Sequence, residues 1–123
     1  MVFTVGKIDH IVLNSLDIGK SLHFYIDILG CELVRKVETP PLYQLRAGES
    51  MIDLKPAQYR DEHVNMDHFC FQISPFEPER LIPYLEAKGV SCGSVEQRNG
   101  ALGFGDSIYI EDPDGNRIEL KTS

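Results

Sequence analysis

The sequence predicts an α+β fold built from two βαβββ modules, and three observations predict it. The first is an internal repeat: "KIDHIVLN" and "MDHFCFQI" each open one copy, with His10 matching His68 about 58 positions on. The second is the order of periodicities within each copy. Strand-like alternation gives way to helical spacing, and three further alternating runs follow. The third is punctuation: Gly30 and Gly89 each stand where a helix should stop, and Asp53 in "MIDL" matches Glu119 in "RIEL" near the end of each copy.

In chain order, "KIDHIVLN" reads as a strand with His10, Val12 and Asn14 on one face and Ile11 and Leu13 on the other. In "SLDIGKSLHFYIDILG", Ser15 or Asp17 caps a helix whose Ile18, Leu22, Tyr25, Ile26 and Leu29 recur at helical spacing. Strands "CELVRKVE" and "LYQLRAG" flank Pro40 and Pro41, where loss of an N–H costs least. "ESMIDLKP" closes the module with Asp53 opposite in face to Ile52 and Leu54. After a polar bridge, "AQYRDEHVN", the second copy places His68, Cys70 and Gln72 on one strand face. "FEPERLIPYLEAKG" is its helix, with Leu81, Ile82 and Leu85 inward and Pro83 as a local flaw. Strand "VSCGSVEQ", a glycine-rich loop "NGALGFGD" that would serve as a lid, strand "SIYIE", turn "DPDG" and strand "NRIEL" complete it. Pro113 and Gly115 suit a tight turn. The boundaries are about 6–56 for module 1, 57–65 for the linker and 66–122 for module 2, all within one domain spanning 1–123.

The bulk composition removes several classes. A net charge of −7 argues against nucleic acid and anionic membranes as partners, because both call for a basic patch. No apolar run approaches the ~20 residues of a membrane span, and the N-terminus lacks a signal-peptide layout. Cys31, Cys70 and Cys92 are odd in number and lack C-x-x-C spacing, which fits a reducing cytoplasm.

The repeat itself points to chemistry. If the helix-facing residues of each copy form the core, the opposite faces carry His10 and Asp53 from one module and His68 and Glu119 from the other. Two imidazoles with one or two carboxylates are good ligands for divalent Zn, Ni, Co, Mn or Fe. A cation would also offset the cost of burying Glu119 between Ile118 and Leu120.

Together "IDHIVLNSLDIGKSLHFYIDILG", "DHFCFQI" and "YIEDPDGNRIEL" resemble the vicinal oxygen chelate superfamily of glyoxalase, bleomycin-resistance, fosfomycin-resistance and extradiol dioxygenase proteins. The resemblance covers nearly the whole chain. It implies paired βαβββ modules in a partly open barrel-like cup (the glyoxalase-like fold), a homodimer, and a divalent metal bound by two vicinal oxygens of a small-molecule substrate. Carried over by position, His10, His68 and Glu119 match the metal ligands. Asp53 falls where glyoxalase-like members place a fourth, or it hydrogen-bonds a ligand histidine instead.

Other residues are weighed against plainer roles. Tyr109 shares a face with Ser107 and Glu111; it is a candidate proton donor, and Glu111 a candidate general base. Arg46, with Gln44, is a candidate partner for a substrate anion. His23 reads as solvent-facing, His63 as a linker histidine and Cys70 as an inert thiol. The leading chemistry is a glyoxalase-like lyase or isomerase. An extradiol-type dioxygenase would use the same His10, His68 and Glu119 set, but "RNGALGFGD" lacks the histidine expected upstream. A thiol transferase acting on an epoxide antibiotic shares the triad, and a metal-free drug-binding protein is the reading from a different class.

Overall fold

The computed structural model describes residues 4, 6–60 and 66–123. The chain divides into two compact units, Met1–Arg60 and Asp61–Ser123, each with one four-stranded sheet and one helical stretch. His63 and residues 61–65 of the expected linker lie outside the described residues.

In the first unit, β1 (His10–Ser15) leads into α1 (Ile18–Leu22), followed by β2 (Glu32–Val37), β3 (Leu42–Ala47) and β4 (Ser50–Pro56). The sheet order is β1-β4-β3-β2, with β1 parallel to β4 and the other pairs antiparallel. A parallel partner needs a crossover, and the helix provides it. Asp17 is the helix N-cap, accepting from the Lys20 backbone N–H at 3.1 Å. Ser15 is not the cap; its hydroxyl is buried against that of Ser21 at 2.6 Å, tying the end of β1 to the helix.

The helix does not keep one period. From His23 to Ile28 it is a π-helix, and the Leu29 N–H bonds the Phe24 carbonyl at 3.0 Å. The wider turn changes which residues face inward: Phe24, Tyr25 and Ile28 are buried, whereas Ile26 and Leu29, inward on regular helical spacing, are only partly so. With Leu13, Leu45, Ile52 and Leu54 they form the apolar core of this unit. Each such aliphatic side chain contributes about 1.5–3 kcal/mol over an exposed one.

The second unit repeats the plan with β5 (Phe69–Ile73), α2 (Pro78–Ala87), β6 (Glu96–Gly100), β7 (Gly103–Glu111) and β8 (Arg117–Thr122), in sheet order β5-β8-β7-β6. Leu85, Ile108, Ile110, Ile118 and Leu120 are its buried core. Pro78 opens α2, where its missing N–H costs nothing, and Pro83 is accommodated in its interior.

Two sequence expectations need correcting. "VSCGSV" (90–95) is not a strand; it passes over β7, where the Gly93 N–H donates to the Tyr109 carbonyl at 2.9 Å. The second strand of the module lies later, at Glu96–Gly100, running from the end of the expected strand into the stretch read as a glycine-rich loop. There Gly100 pairs with Gly103 across a two-residue turn, and Gly103 takes φ +98. Ladder hydrogen bonds override weak strand propensity in "EQRNG", and only the tip, Ala101–Leu102, remains a turn.

The turn before β8 is built around Asp112, whose carboxylate accepts from the Asp114 N–H at 2.9 Å, the Asn116 N–H at 2.8 Å and the Asn116 side-chain amide at 2.7 Å. With Gly115 at φ +81, these bonds fix where β8 begins and so where Glu119 points.

Candidate functional site

The two sheets share one register motif. In the first unit, Val12 lies opposite Asp53, so the carboxylate stands across the sheet two residues beyond His10. In the second, Cys70 lies opposite Glu119, two residues beyond His68. Strand alternation turns all four side chains away from the helix-packed face.

The second unit's pair is in contact. His68 Nε2 is 3.2 Å from Glu119 Oε1. Glu119 is 5% exposed, and its other oxygen, Oε2, is buried without a hydrogen-bond partner among the described residues. An orphaned carboxylate oxygen costs about 1–3 kcal/mol or more, because charged groups lose the most on leaving water. A divalent cation beside it removes that cost, so the donor set fits a metal.

The first unit's pair is looser. Asp53 is buried at 4% exposure and accepts a long hydrogen bond, 3.4 Å, from the Gln44 side-chain amide. It acts on His10 through its charge. The shorter Asp side chain in place of Glu is consistent with the absence of a direct contact. Among the described residues, no three His, Cys, Asp or Glu side chains form a ready-made metal cluster.

Each histidine has a further partner that the sequence reading did not assign. His10 Nδ1 is 2.6 Å from Asp9 Oδ1, and His68 Nδ1 is 2.7 Å from Asp67 Oδ2. The Asp9 hydrogen bond holds the His10 imidazole above its ordinary value, helped by the nearby Asp53 charge. The bond to His68 holds the Asp67 carboxyl below the usual range. The available signal was the Asp-His dipeptide that opens both copies.

Tyr109, in register with Glu119, lies among cations. The Arg117 and Arg98 guanidinium carbons are 3.8 and 4.4 Å from its ring centroid, and the His68 ring meets it edge-on at 5.2 Å. Arg98 also donates to the Ser107 hydroxyl at 2.7 Å, and Arg117 reaches Asp67 at 3.5 Å. On the sequence Arg117, near Glu119, reads only as a generic anion contact, and nothing sets Arg98 apart, because arginines on short strands usually read as solvent-facing. Glu111 is exposed, opposite Arg117 in register. Arg46 is exposed and pairs in register with Met51, which pairs with His10 on its other side, so Arg46 lies two strands from His10 in the same row. His23 is exposed and bonded to Asp27 at 2.8 Å.

Cys70 is exposed beside Glu119; burial of its sulfur and then the Glu119 charge push the thiol up to about 11. Lys121 is 5% exposed, and its stem runs along the β6–β7 hairpin: a side-chain carbon at Gly100 would lie 3.0 Å from Lys121 Cδ and Cε.

Among known proteins, the chain is 34% identical over 123 residues to a virulence protein of Salmonella typhimurium, covering 94% of this chain and 83% of that one. That protein's crystal structure covers 98% of both chains with a TM-score of 0.79. The metallothiol transferase FosB of Staphylococcus haemolyticus is 30% identical over 119 residues, 96% of this chain and 84% of FosB. The glutathione transferase FosA of Serratia marcescens is 27% identical, over 93% of this chain and 79% of FosA. The fosfomycin resistance protein FosX of Listeria monocytogenes, at 22% identity, shares the fold with a TM-score of 0.80 over 98% of this chain and 94% of FosX. The fold is glyoxalase-like, and with the family pattern running through residues 7–120, the chain belongs to the glyoxalase/bleomycin resistance protein/dioxygenase superfamily.

Proposed function

We propose that the chain is a divalent-metal-dependent transferase that joins a small thiol to an electrophilic small molecule with adjacent oxygens, of which fosfomycin, an epoxide antibiotic, is the first to test. The observation that carries the metal is Glu119, buried with one oxygen against His68 and the other without a partner. The transfer chemistry rests on the relatives, since FosB is a metallothiol transferase and FosA a glutathione transferase. The lyase or isomerase chemistry placed first on the sequence becomes the second reading.

His68 and Glu119 would hold the metal, His10 is the candidate third ligand, and Asp53 is the candidate fourth. Zn, Ni, Co, Mn and Fe all suit this nitrogen and oxygen donor set. A metal bound there supplies positive charge that draws electrons from a substrate oxygen and opens the adjacent carbon to attack. In the reaction a carbon–sulfur bond forms, the epoxide carbon–oxygen bond breaks, and the thiol proton ends on the freed oxygen. Glu111 is the candidate acceptor of the thiol proton, and the Tyr109 hydroxyl is the candidate hydrogen-bond donor to the oxygen. Arg98 and Arg117, stacked on Tyr109, place positive charge beside its ring and favour an anionic substrate or product.

A homodimer in the cytoplasm completes the reading. Three free cysteines fit a reducing compartment, and none of the described helices is long and apolar enough to cross a membrane.

The test uses untagged protein reconstituted with each metal, then incubated with fosfomycin and glutathione while free thiol is followed. Near one metal per chain, lost in His68→Ala and Glu119→Ala, together with fosfomycin-dependent thiol loss, is the expected result. No metal in the wild type overturns the reading. Bound metal without thiol consumption moves the assays to hemithioacetals, the substrates of the lyase alternative.

A further inference from the structure

We propose that Asp9 and Asp67 are positioning residues of the metal site: each takes the Nδ1 proton of the histidine after it, so that Nε2 presents its lone pair to a metal. The inference rests on the metal reading above and adds to it the residues that set the two imidazoles.

The first support is duplication. The modules differ at the carboxylate, Asp53 against Glu119, and at the residue opposite it, Val12 against Cys70. Yet both place an aspartate directly before the histidine with its oxygen on the same ring nitrogen, at 2.6 Å in one module and 2.7 Å in the other. Both aspartates are largely exposed, 90% for Asp9 and 77% for Asp67, so burial in the core does not account for the contact.

The second support is the competition at His68. Its ring stands between two carboxylates, Asp67 at Nδ1 and Glu119 at Nε2, at 2.7 and 3.2 Å. A neutral imidazole has one proton for both, and the shorter contact takes it. Nε2 then faces Glu119 with its lone pair, an arrangement that repels until a cation stands between them. A histidine with the opposite tautomer would satisfy Glu119 and block the metal. Asp67 is itself held by the Arg117 guanidinium at 3.5 Å, and Arg117 in turn lies over Tyr109. The orienting carboxylate is therefore anchored from behind. Partners of this kind fix the tautomer and ring angle of ligand histidines and raise their basicity.

The two positions differ in weight. The His68 side chain is 29% exposed against 47% for His10, and Asp67 77% against 90% for Asp9. Water replaces the Asp9 contact more readily, so Asp67 has the larger effect.

The test measures nickel(II) dissociation constants on untagged full-length protein for wild type, Asp9→Ala, Asp67→Ala and Asp67→Asn. Nitrogen-15 shifts of both imidazoles are recorded on the metal-free samples at about pH 9, above the ordinary imidazole range. Asp67→Ala is expected to weaken nickel binding about 10–100-fold, and Asp9→Ala by less. Asn, which keeps an acceptor, is expected to recover part of the loss. The wild-type proton is expected on Nδ1 of both rings and to move to Nε2 when the aspartate is removed. Unchanged affinity in both alanine variants, or a wild-type proton on Nε2, overturns the proposal. So does weaker binding with no tautomer change, which would be a plain charge effect. Wild-type protein that binds no nickel or other divalent metal refutes the metal reading instead; the nitrogen shifts then still decide whether the aspartates set the tautomer.

Discussion

Replacing Glu119 by Met separates what the carboxylate does for a metal from what it does for the fold. Met matches Glu in length and shape, so the change leaves little cavity. In the metal-free protein the wild type carries a buried oxygen, Oε2, without a partner, at about 1–3 kcal/mol. The variant relieves that cost. With the His68 proton on Nδ1, the variant gives up no hydrogen bond at the 3.2 Å contact, and it leaves no stranded charge, because the His68 side chain is 29% exposed to solvent. The balance favours the variant by about 1 kcal/mol, the lower end of that range. For 123 residues, 1 kcal/mol corresponds to about 4 °C in melting temperature. With metal at about a hundred times its dissociation constant, the wild type gains about 2.7 kcal/mol and the variant almost none. Thermal melts with chelator and with nickel should therefore cross: Glu119→Met melts higher without metal and the wild type higher with it. A metal-free variant that melts several degrees below the wild type would refute the reasoning, because Glu119 would then be a net stabilising group. Equal stabilisation of both proteins by nickel would refute its role as a ligand.

Further outcomes follow from contacts already described. Cys70 should alkylate slowly despite its exposure: with the thiol at about 11, about one in a thousand is thiolate at pH 8. Its iodoacetamide rate should rise about tenfold per pH unit up to that value, and Glu119→Gln should speed it at pH 8 by removing the second cause of the shift. Gly105→Ala should cost about 1–3 kcal/mol in urea unfolding. Its new carbon would lie 2.7 Å from Thr122 Cγ2 and 3.2 Å from Lys121 Nζ. Gly93→Ala, whose carbon would meet only ordinary contacts at 3.6–3.9 Å, should cost measurably less.

The register of the candidate site was legible because strand alternation is strict. Once His10 and Asp53 were read as outward, and His68 and Glu119 as their repeats, the matching diagonal placement in both sheets followed. The helix of the first module was read less well, since Ile26 and Leu29 satisfy a regular helix period and nothing local in "HFYIDI" announces a π turn. The position of β6 was missed for a related reason. "VSCGSV" has the better strand composition, and only hairpin pairing with β7 across the Ala101–Leu102 turn selects "EQRNG". The groups around the site were hardest to see. The Asp67 contact to His68 is local, but its geometry depends on the rotamers of two adjacent side chains; Arg98 and Arg117 matter through Tyr109, contacts that depend on how β6, β7 and β8 are placed side by side. The buried state of Lys121 is of the same kind, a cation on the last strand covered by a hairpin some twenty residues earlier.

That packing of Lys121 against Gly100 and Gly105 limits the order in which the sequence can change. A side chain at Gly100 requires the lysine stem to give way, and one at Gly105 requires Thr122 to move as well; a shorter residue at 121, and a smaller one at 122 in the case of Gly105, would open the space. The mutations are then permissive in one direction only, so hairpin and last strand must vary together although they lie in different parts of the chain. Laboratory selection that begins by diversifying the hairpin should yield mostly destabilised variants, whereas selection that first shortens position 121 should recover hairpin variants of higher stability.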